Sequence, residues 1–220
     1  MKLRYCFQIN WLKTFYINFR ELPFKDAVKL PLLIFQRTGI CSLKGRITVS
    51  GPVKFGMIKI GRCEVSHKRY AHTVLHIDGT VHFSGKASLG SGSALIVSRG
   101  GELCLGKEFR ITADTAIICE KSITIGEGFL SSWENLIMDS DRHNIFNKEG
   151  ELLNPPRPIT IGNHVWLGCR TTVLKGTVIP DNCIAAAGSV LTGTFHEPGA
   201  IIGSSGKNQQ VLKSGIVWKE

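Results

Sequence analysis

Between Ile159 and Thr192, apolar residues fall at every sixth position without a slip: Ile161, Leu167, Val173, Ile179, Ala185 and Leu191. A second row sits four residues after each of the first five: Val165, Thr171, Thr177, Cys183 and Ser189, all small or β-branched. An α-helix repeats near 3.6 residues and a flat strand near 2, so neither produces a strict period of six. A solenoid of short strands joined by sharp corners does, with one large core residue and one small inward corner residue per hexapeptide. The expected fold class is therefore all-β, a parallel β-helix built on hexapeptide repeats.

The remainder of the chain reads as more of this prism with three departures. From Leu43 the beat emerges loosely, then firmly at Ile77, Phe83, Leu89 and Leu95. It slips at Gly100–Gly101, resumes at Leu105, Ile111 and Ile117, and slips again to Ile125, Ser131 and Ile137. Ile125 and Ile161 are 36 residues apart. One coil of three hexapeptides accounts for about half of that spacing, so an excursion is expected near 142–158, where DRHNIFNKEGELLNPPRP has loop composition. A long loop thrown out of a regular scaffold is commonly functional. Residues 1–42 keep no beat; they are aromatic and basic, broken by Pro23 and Pro31 into short pieces. They are expected to cap the open first coil, as a solenoid end requires, and to offer peripheral contact to a membrane surface. Residues 43–194 form the expected β-helix, and 195–220 a turn, a last strand and a short C-terminal helix.

Composition narrows the class. A hydrophobic content of 43% against 20% charged residues argues for a globular chain. Seven scattered cysteines, odd in number and without a CxxC pair, suit a reducing compartment, and the cytoplasm is the expected location. The net charge is +10, half of it in residues 1–40, where seven Lys and Arg face two acids. No nucleic-acid-binding module accompanies that charge, so no nucleic-acid partner is expected. It is read as a solvated basic face, or as one that meets anionic small ligands or an anionic membrane, the inner face of the cell membrane.

With the hexapeptides and the excursion both in view, the chain resembles the hexapeptide-repeat acyltransferases. The matching stretches are I-G-N-H-V-W-L-G from Ile161, A-A-A-G-S-V-L-T from Ala185, and M-D-S-D-R-H-N-I from Met138. Within that superfamily it looks most like the maltose/galactoside-acetyltransferase-like branch, which includes bacterial polysaccharide O-acetyltransferases. The resemblance covers about residues 45–215. It implies a left-handed β-helix, a homotrimer, acetyl-CoA as co-substrate and a sugar or polysaccharide acceptor.

Moving an acetyl group from a thioester to an alcohol needs a base at the hydroxyl proton and a donor for the oxyanion. His143, where the chain leaves the prism, is the candidate base, and the family's catalytic histidine occupies this kind of position. Asp139 and Asp141 are the nearby acids: one of them supports the imidazole, or binds a sugar hydroxyl, or solvates the turn. Strand alternation points Trp166 outward, and in the family this position lines the pantetheine groove between subunits. By the same resemblance Cys169 and Ala187, one coil apart, supply backbone contacts to the cofactor arm. Thr192 and Lys207 lie toward its nucleotide end, although Gly193 replaces the usual lysine and the segment after the last coil departs from the family pattern. Trp133 and Asn135 are candidates for acceptor binding; Asn135 also falls on the inward corner row and fits a buried amide equally well.

His76 and His82 are six apart, on adjacent faces rather than stacked, so no metal is expected. The leading reading is an acetyl-CoA-dependent O-acetyltransferase acting in surface polysaccharide biosynthesis. Alternatives on the same scaffold are an amino-sugar N-acyltransferase, an antibiotic acetyltransferase, a metal-dependent hydratase and a non-catalytic trimeric scaffold.

Overall fold

In the computed structural model, which describes residues 6–66, 70–205 and 208–219, consecutive strands rotate through three parallel sheets, so every third strand is a neighbour. The first face stacks Leu32–Ile34, Ile58–Arg62, Ala87–Gly90, Phe109–Ala113, Leu130–Trp133, Trp166–Leu167, Ile184–Ala185 and Ile201–Ser205. The second runs from Thr38–Ser42 to Val190–Leu191, and the third from Arg46–Val49 to Val178–Ile179. Register is set by the six-beat: Leu105 pairs with Ile125, Ile125 with Ile161, and Ile161 with Ile179. A one-residue slip would turn the whole inward row to solvent.

All six members of the large row from Ile161 to Leu191 are buried, as are the five corner residues from Val165 to Ser189. The buried corner hydroxyls return to their own turn: Thr171 Oγ1 donates to the Gly168 carbonyl at 2.9 Å and Thr177 Oγ1 to that of Leu174 at 2.6 Å. That removes the cost of burying them. Corners turn through left-handed residues stacked in columns. Asp114, Glu134, Arg170 and Gly188 mark the corner between the first and second faces; Glu108, Gly128, His164 and Asn182 mark that between the third and first. Glycine is required where coils close tightly: a Cβ on Gly126 would lie 2.6 Å from the Gly162 carbonyl.

Four features differ from the sequence expectation. The prism begins at Leu32 rather than Leu43, because Pro31-Leu-Leu-Ile-Phe is continuously apolar and buried on both sides, which hides any beat. The corner row is not small throughout. Phe109 and Phe129 occupy it, stacked at 5.2 Å, with only Ser131 in the large row beside Phe129. No C-terminal helix forms in the described residues; Asn208–Lys213 folds back antiparallel on Ile201–Ser205. An open parallel edge is satisfied better by a hairpin strand than by a helix too short to nucleate. Finally, Ile216–Trp218 crosses back over the last coils, with Ile216 N–H bonding the Gly199 carbonyl.

At the N-terminus, Trp11–Glu21 forms helix α1 and Phe24–Ala27 a single turn, α2, separated by Pro23. Helix α1 covers the first coil through polar side chains. Asn18 bonds both the N–H and the carbonyl of Leu32, Thr14 Oγ1 accepts from Ile34 N–H, and Glu21 accepts from Ile47 N–H. Lys13 and Arg20 donate to the carbonyls of Thr38 and Leu43. These bonds satisfy an edge that would otherwise template aggregation.

Candidate active site

The excursion leaves after Met138 and returns at Ile159, replacing the corner between the second and third faces. In the next coil the same corner needs only Lys175, Gly176 and Thr177. The insertion leaves the pairing around it intact: Ile137 still meets Val173, and Ile125 still meets Ile161. Its middle is a small hairpin in which Phe146 bridges Leu152 and the Asn147 side chain accepts from the N–H groups of Glu149 and Glu151.

His143 stands exposed at the start of this excursion. No described residue bonds its imidazole, whereas its backbone is pinned: Asn154 Nδ2 donates to the His143 carbonyl at 2.8 Å and to Asp141 at 2.7 Å. Lys175 Nζ ties Asp141 to the coil below and also bonds the Asn154 carbonyl at 3.0 Å. Arg157 adds a third fastening, its N–H bonding the Asp139 carbonyl and its own carbonyl accepting from Gly176 N–H. Asp141 therefore holds the loop that carries His143; it does not touch the imidazole.

The bond from Lys175, followed by that from Asn154, holds the Asp141 carboxyl below its ordinary value. A depressed pKa means that the anchor is complete above the ordinary carboxylate range, about pH 4, and is lost as the pH falls through the lowered value. Accordingly, cleavage within 145–153 in a limited-proteolysis series should stay constant from neutral pH down to that range and rise below it. Asp141→Asn should cleave faster even at neutral pH while the melting temperature of the prism stays unchanged. Equal cleavage of the variant and the parent would remove this role.

Asp139 is spoken for elsewhere. It is fully buried, and its carboxylate accepts from the N–H groups of Glu120, Lys121 and Ser122 at 2.7, 2.8 and 2.8 Å. The expectation that it serves His143 is corrected: its oxygens clamp the corner of the preceding coil. Burial, and then Asp139, push the neighbouring Cys119 thiol up to about 12, so it stays protonated. Asn135 is likewise a structural amide rather than an acceptor contact, donating to Ser131 Oγ at 2.8 Å and accepting from Thr171 N–H at 2.7 Å inside the corner.

Cys169 and Ala187 stack at the corner between the first and second faces, where the Cys169 carbonyl accepts from Gly188 N–H. Their own N–H groups have no partner among the described residues, and Ala187 is exposed. Trp133 ends the strand entering this corner one coil earlier, and its carbonyl accepts from Arg170 N–H. Trp166 points outward and donates from Nε1 to Ser132 Oγ at 3.0 Å. Trp218 leans against it at 6.0 Å while stacking on His164 at 3.9 Å and donating to the His164 carbonyl. No periodicity marks Trp218 as part of this surface, because it arrives from beyond the repeats. Thr192 is exposed at the other edge, that of the excursion, beside a cleft of about 490 Å³ lined by Phe195, His196 and Gln210. Lys207 lies outside the described residues.

Within one chain, then, His143 and the Cys169–Ala187 corner occupy opposite edges of the second face. A strand with its flanking corner residues separates them by roughly 15 Å. Away from both, on the outer side of the third face, His82, Glu102 and Cys104 bring possible ligand atoms within 4.8 Å of one another. His82 and Cys104 are paired in register, 22 residues apart because of the Gly100–Gly101 slip. His82 bonds Thr48 through Nδ1 and pairs with Glu102 through Nε2.

No protein-family model matches the chain. It is 32% identical over 98 residues to the galactoside O-acetyltransferase of Escherichia coli (strain K12), covering 43% of this chain and 47% of that protein. It is 31% identical over 103 residues to the polysialic acid O-acetyltransferase of Neisseria meningitidis, covering 46% and 38%. The matched region is thus less than half the length of either relative. Among solved structures, the polySia-specific acetyltransferase NeuO superposes with a TM-score of 0.58 at 16% identity, over 86% of this chain and 78% of that one. Its prism is thereby the left-handed parallel β-helix, and the chain is similar, in its repeats and in its fold, to the hexapeptide-repeat O-acetyltransferases.

Proposed function

We propose that the protein is an acetyl-CoA-dependent O-acetyltransferase that modifies a sugar hydroxyl of a surface polysaccharide or its precursor. The observation that carries this reading is His143: an exposed imidazole with no described partner, on a backbone fastened through Asn154, Asp141 and Lys175. The names of the relatives supply the reaction class, and the rigid mounting supplies the positioning that a general base needs.

His143 takes the hydroxyl proton as the sugar oxygen attacks the acetyl carbon. The carbon–oxygen bond forms, the carbon–sulfur bond breaks, and the proton passes from the imidazole to the departing thiolate. The N–H groups at Cys169 and Ala187, without a partner among the described residues, fit the cofactor arm, because they lie at one exposed edge on successive coils and can donate to amide or thioester oxygens. As these donors and His143 sit on opposite edges of one face, a working site takes the histidine from one copy and the corner from its neighbour in a ring. Trp166 and Trp133 wall that groove.

Incubation of the purified protein with acetyl-CoA and a panel of oligosaccharides should release free thiol only when a hydroxyl acceptor is present. Faster release with amino sugars would move the acceptor class to amines. No CoA binding and no thiol release with any acceptor would overturn the proposal.

A further inference from the structure

Helix α1 is amphipathic the wrong way round for a helix docked on a protein core. The side turned to the prism carries Thr14, Asn18 and the Glu21 carboxylate beside Ile17. Its outer side carries Leu12, Phe15, Tyr16 and Phe19, at the i, i+3, i+4, i+7 spacing of a single stripe. Leu12 is 86% exposed, Tyr16 53%, Phe15 47% and Phe19 46%, and Phe24 of α2 extends the stripe at 75%. The exposed rings form a continuous ridge, Phe15 to Phe19 at 6.4 Å and Phe19 to Phe24 at 6.0 Å, and Trp11, which packs on Ile9, Leu33 and Phe35, borders it 6.3 Å from Phe15. Isolated exposed apolar residues are ordinary; a ridge of this extent marks a surface that is covered in use.

The ridge lies opposite the bonds that fix α1 to the end of the prism, so it faces away from the coils. The cations around it favour an anionic occupant: Lys25 is exposed, the exposed Arg20 and Lys29 flank the ridge while pairing with Glu21 and Asp26, and residues 1–40 carry a net charge of +5. Aromatic rings ringed by Lys and Arg match the boundary between headgroups and acyl chains. No helix in the described residues is long and apolar enough to cross a membrane. We infer that the Leu12–Phe24 ridge seats the protein on the surface of an anionic lipid bilayer, with the prism standing away from it. Asn18, Thr14 and Glu21 supply the rigid hold on the first coil that lets the helix carry this load without unfolding. The inference is independent of the acetyl-transfer reading.

The test is co-sedimentation of the full chain with vesicles of phosphatidylcholine alone and of phosphatidylcholine mixed with phosphatidylglycerol. Binding is expected to the mixed vesicles, weaker at high salt and much weaker to phosphatidylcholine alone. Phe15→Ser with Phe19→Ser should reduce partitioning by about ten-fold or more, as two aromatic rings lose their apolar insertion. Phe24→Ser, outside α1, should give a smaller loss and serves as the second variant should the pair disturb folding, which circular dichroism reports. No binding to either vesicle, or equal binding of parent and variants, overturns the inference. So does a fall in assembly mass for the Phe15/Phe19 variant in lipid-free sedimentation, which would make the ridge a contact between copies.

Discussion

His143→Ala should lower acetyl transfer to a sugar acceptor by about 10²–10⁴-fold, the contribution usual for a positioned general base. The melting temperature should not move, because the side chain is exposed and bonds no described residue. The loss belongs in kcat, with CoA affinity retained, since the proposed cofactor contacts lie on the other edge of the second face. A mixing experiment sharpens the expectation. Ala187→Trp fills the exposed cofactor edge without entering the core, and it should be inactive by itself. When His143→Ala and Ala187→Trp chains are co-assembled in equal amounts, about a quarter of the sites in a three-fold ring pair a native histidine with a native corner. Activity should return to that level. Recovery near zero would mean that each site lies within a single chain. Near wild-type activity of His143→Ala alone would remove the histidine from the mechanism.

The second large effect is on stability. Asp139→Ala leaves three N–H groups, those of Glu120, Lys121 and Ser122, without their shared acceptor in a fully buried corner. Charge-assisted bonds and the cost of unpaired buried donors put the loss on the order of 3–5 kcal/mol. For a chain of this size that lowers the melting temperature by roughly 10 °C. Asp139→Asn keeps the shape and one acceptor oxygen, so it should fall between the variant and the parent. The melting temperature is the decisive readout, because it separates a corner clamp from a catalytic acid. An unshifted melting temperature in Asp139→Asn, together with a large fall in kcat, would return Asp139 to the active site.

These two residues also show where sequence reading succeeds and where it stops. The six-beat reports the core directly, so the large row from Ile161 to Leu191 and the register of Ile125 with Ile161 were legible. The excursion was legible too, because its length is the remainder after one coil is subtracted. Asp139 was not. An acid four residues before a histidine reads as its partner, whereas the N–H groups that claim this one come from a corner 17 to 19 residues earlier in the chain. Stacking of coils creates that contact, and local sequence carries no sign of it. The Gly100–Gly101 slip hid the pairing of His82 with Cys104 in the same way. Chain ends are the least legible part. A cap bonds the edge of one coil through whichever polar residues reach it, so Thr14 and Asn18 follow no repeat, and neither does the antiparallel strand after Ile201–Ser205.

The excursion begins and ends at neighbouring rungs without disturbing the pairing of either. Its ends are therefore already held together by the prism, and added length costs only the slow logarithmic term of loop closure, about 0.6 kcal/mol per doubling. Lengthening, shortening or exchanging residues 145–153 leaves Asp141, Asn154 and Lys175 to fix the ends and leaves the inward rows as they are. Insertion and deletion at this one corner can thus change what the excursion meets, while the scaffold and the mounting of His143 stay as they are.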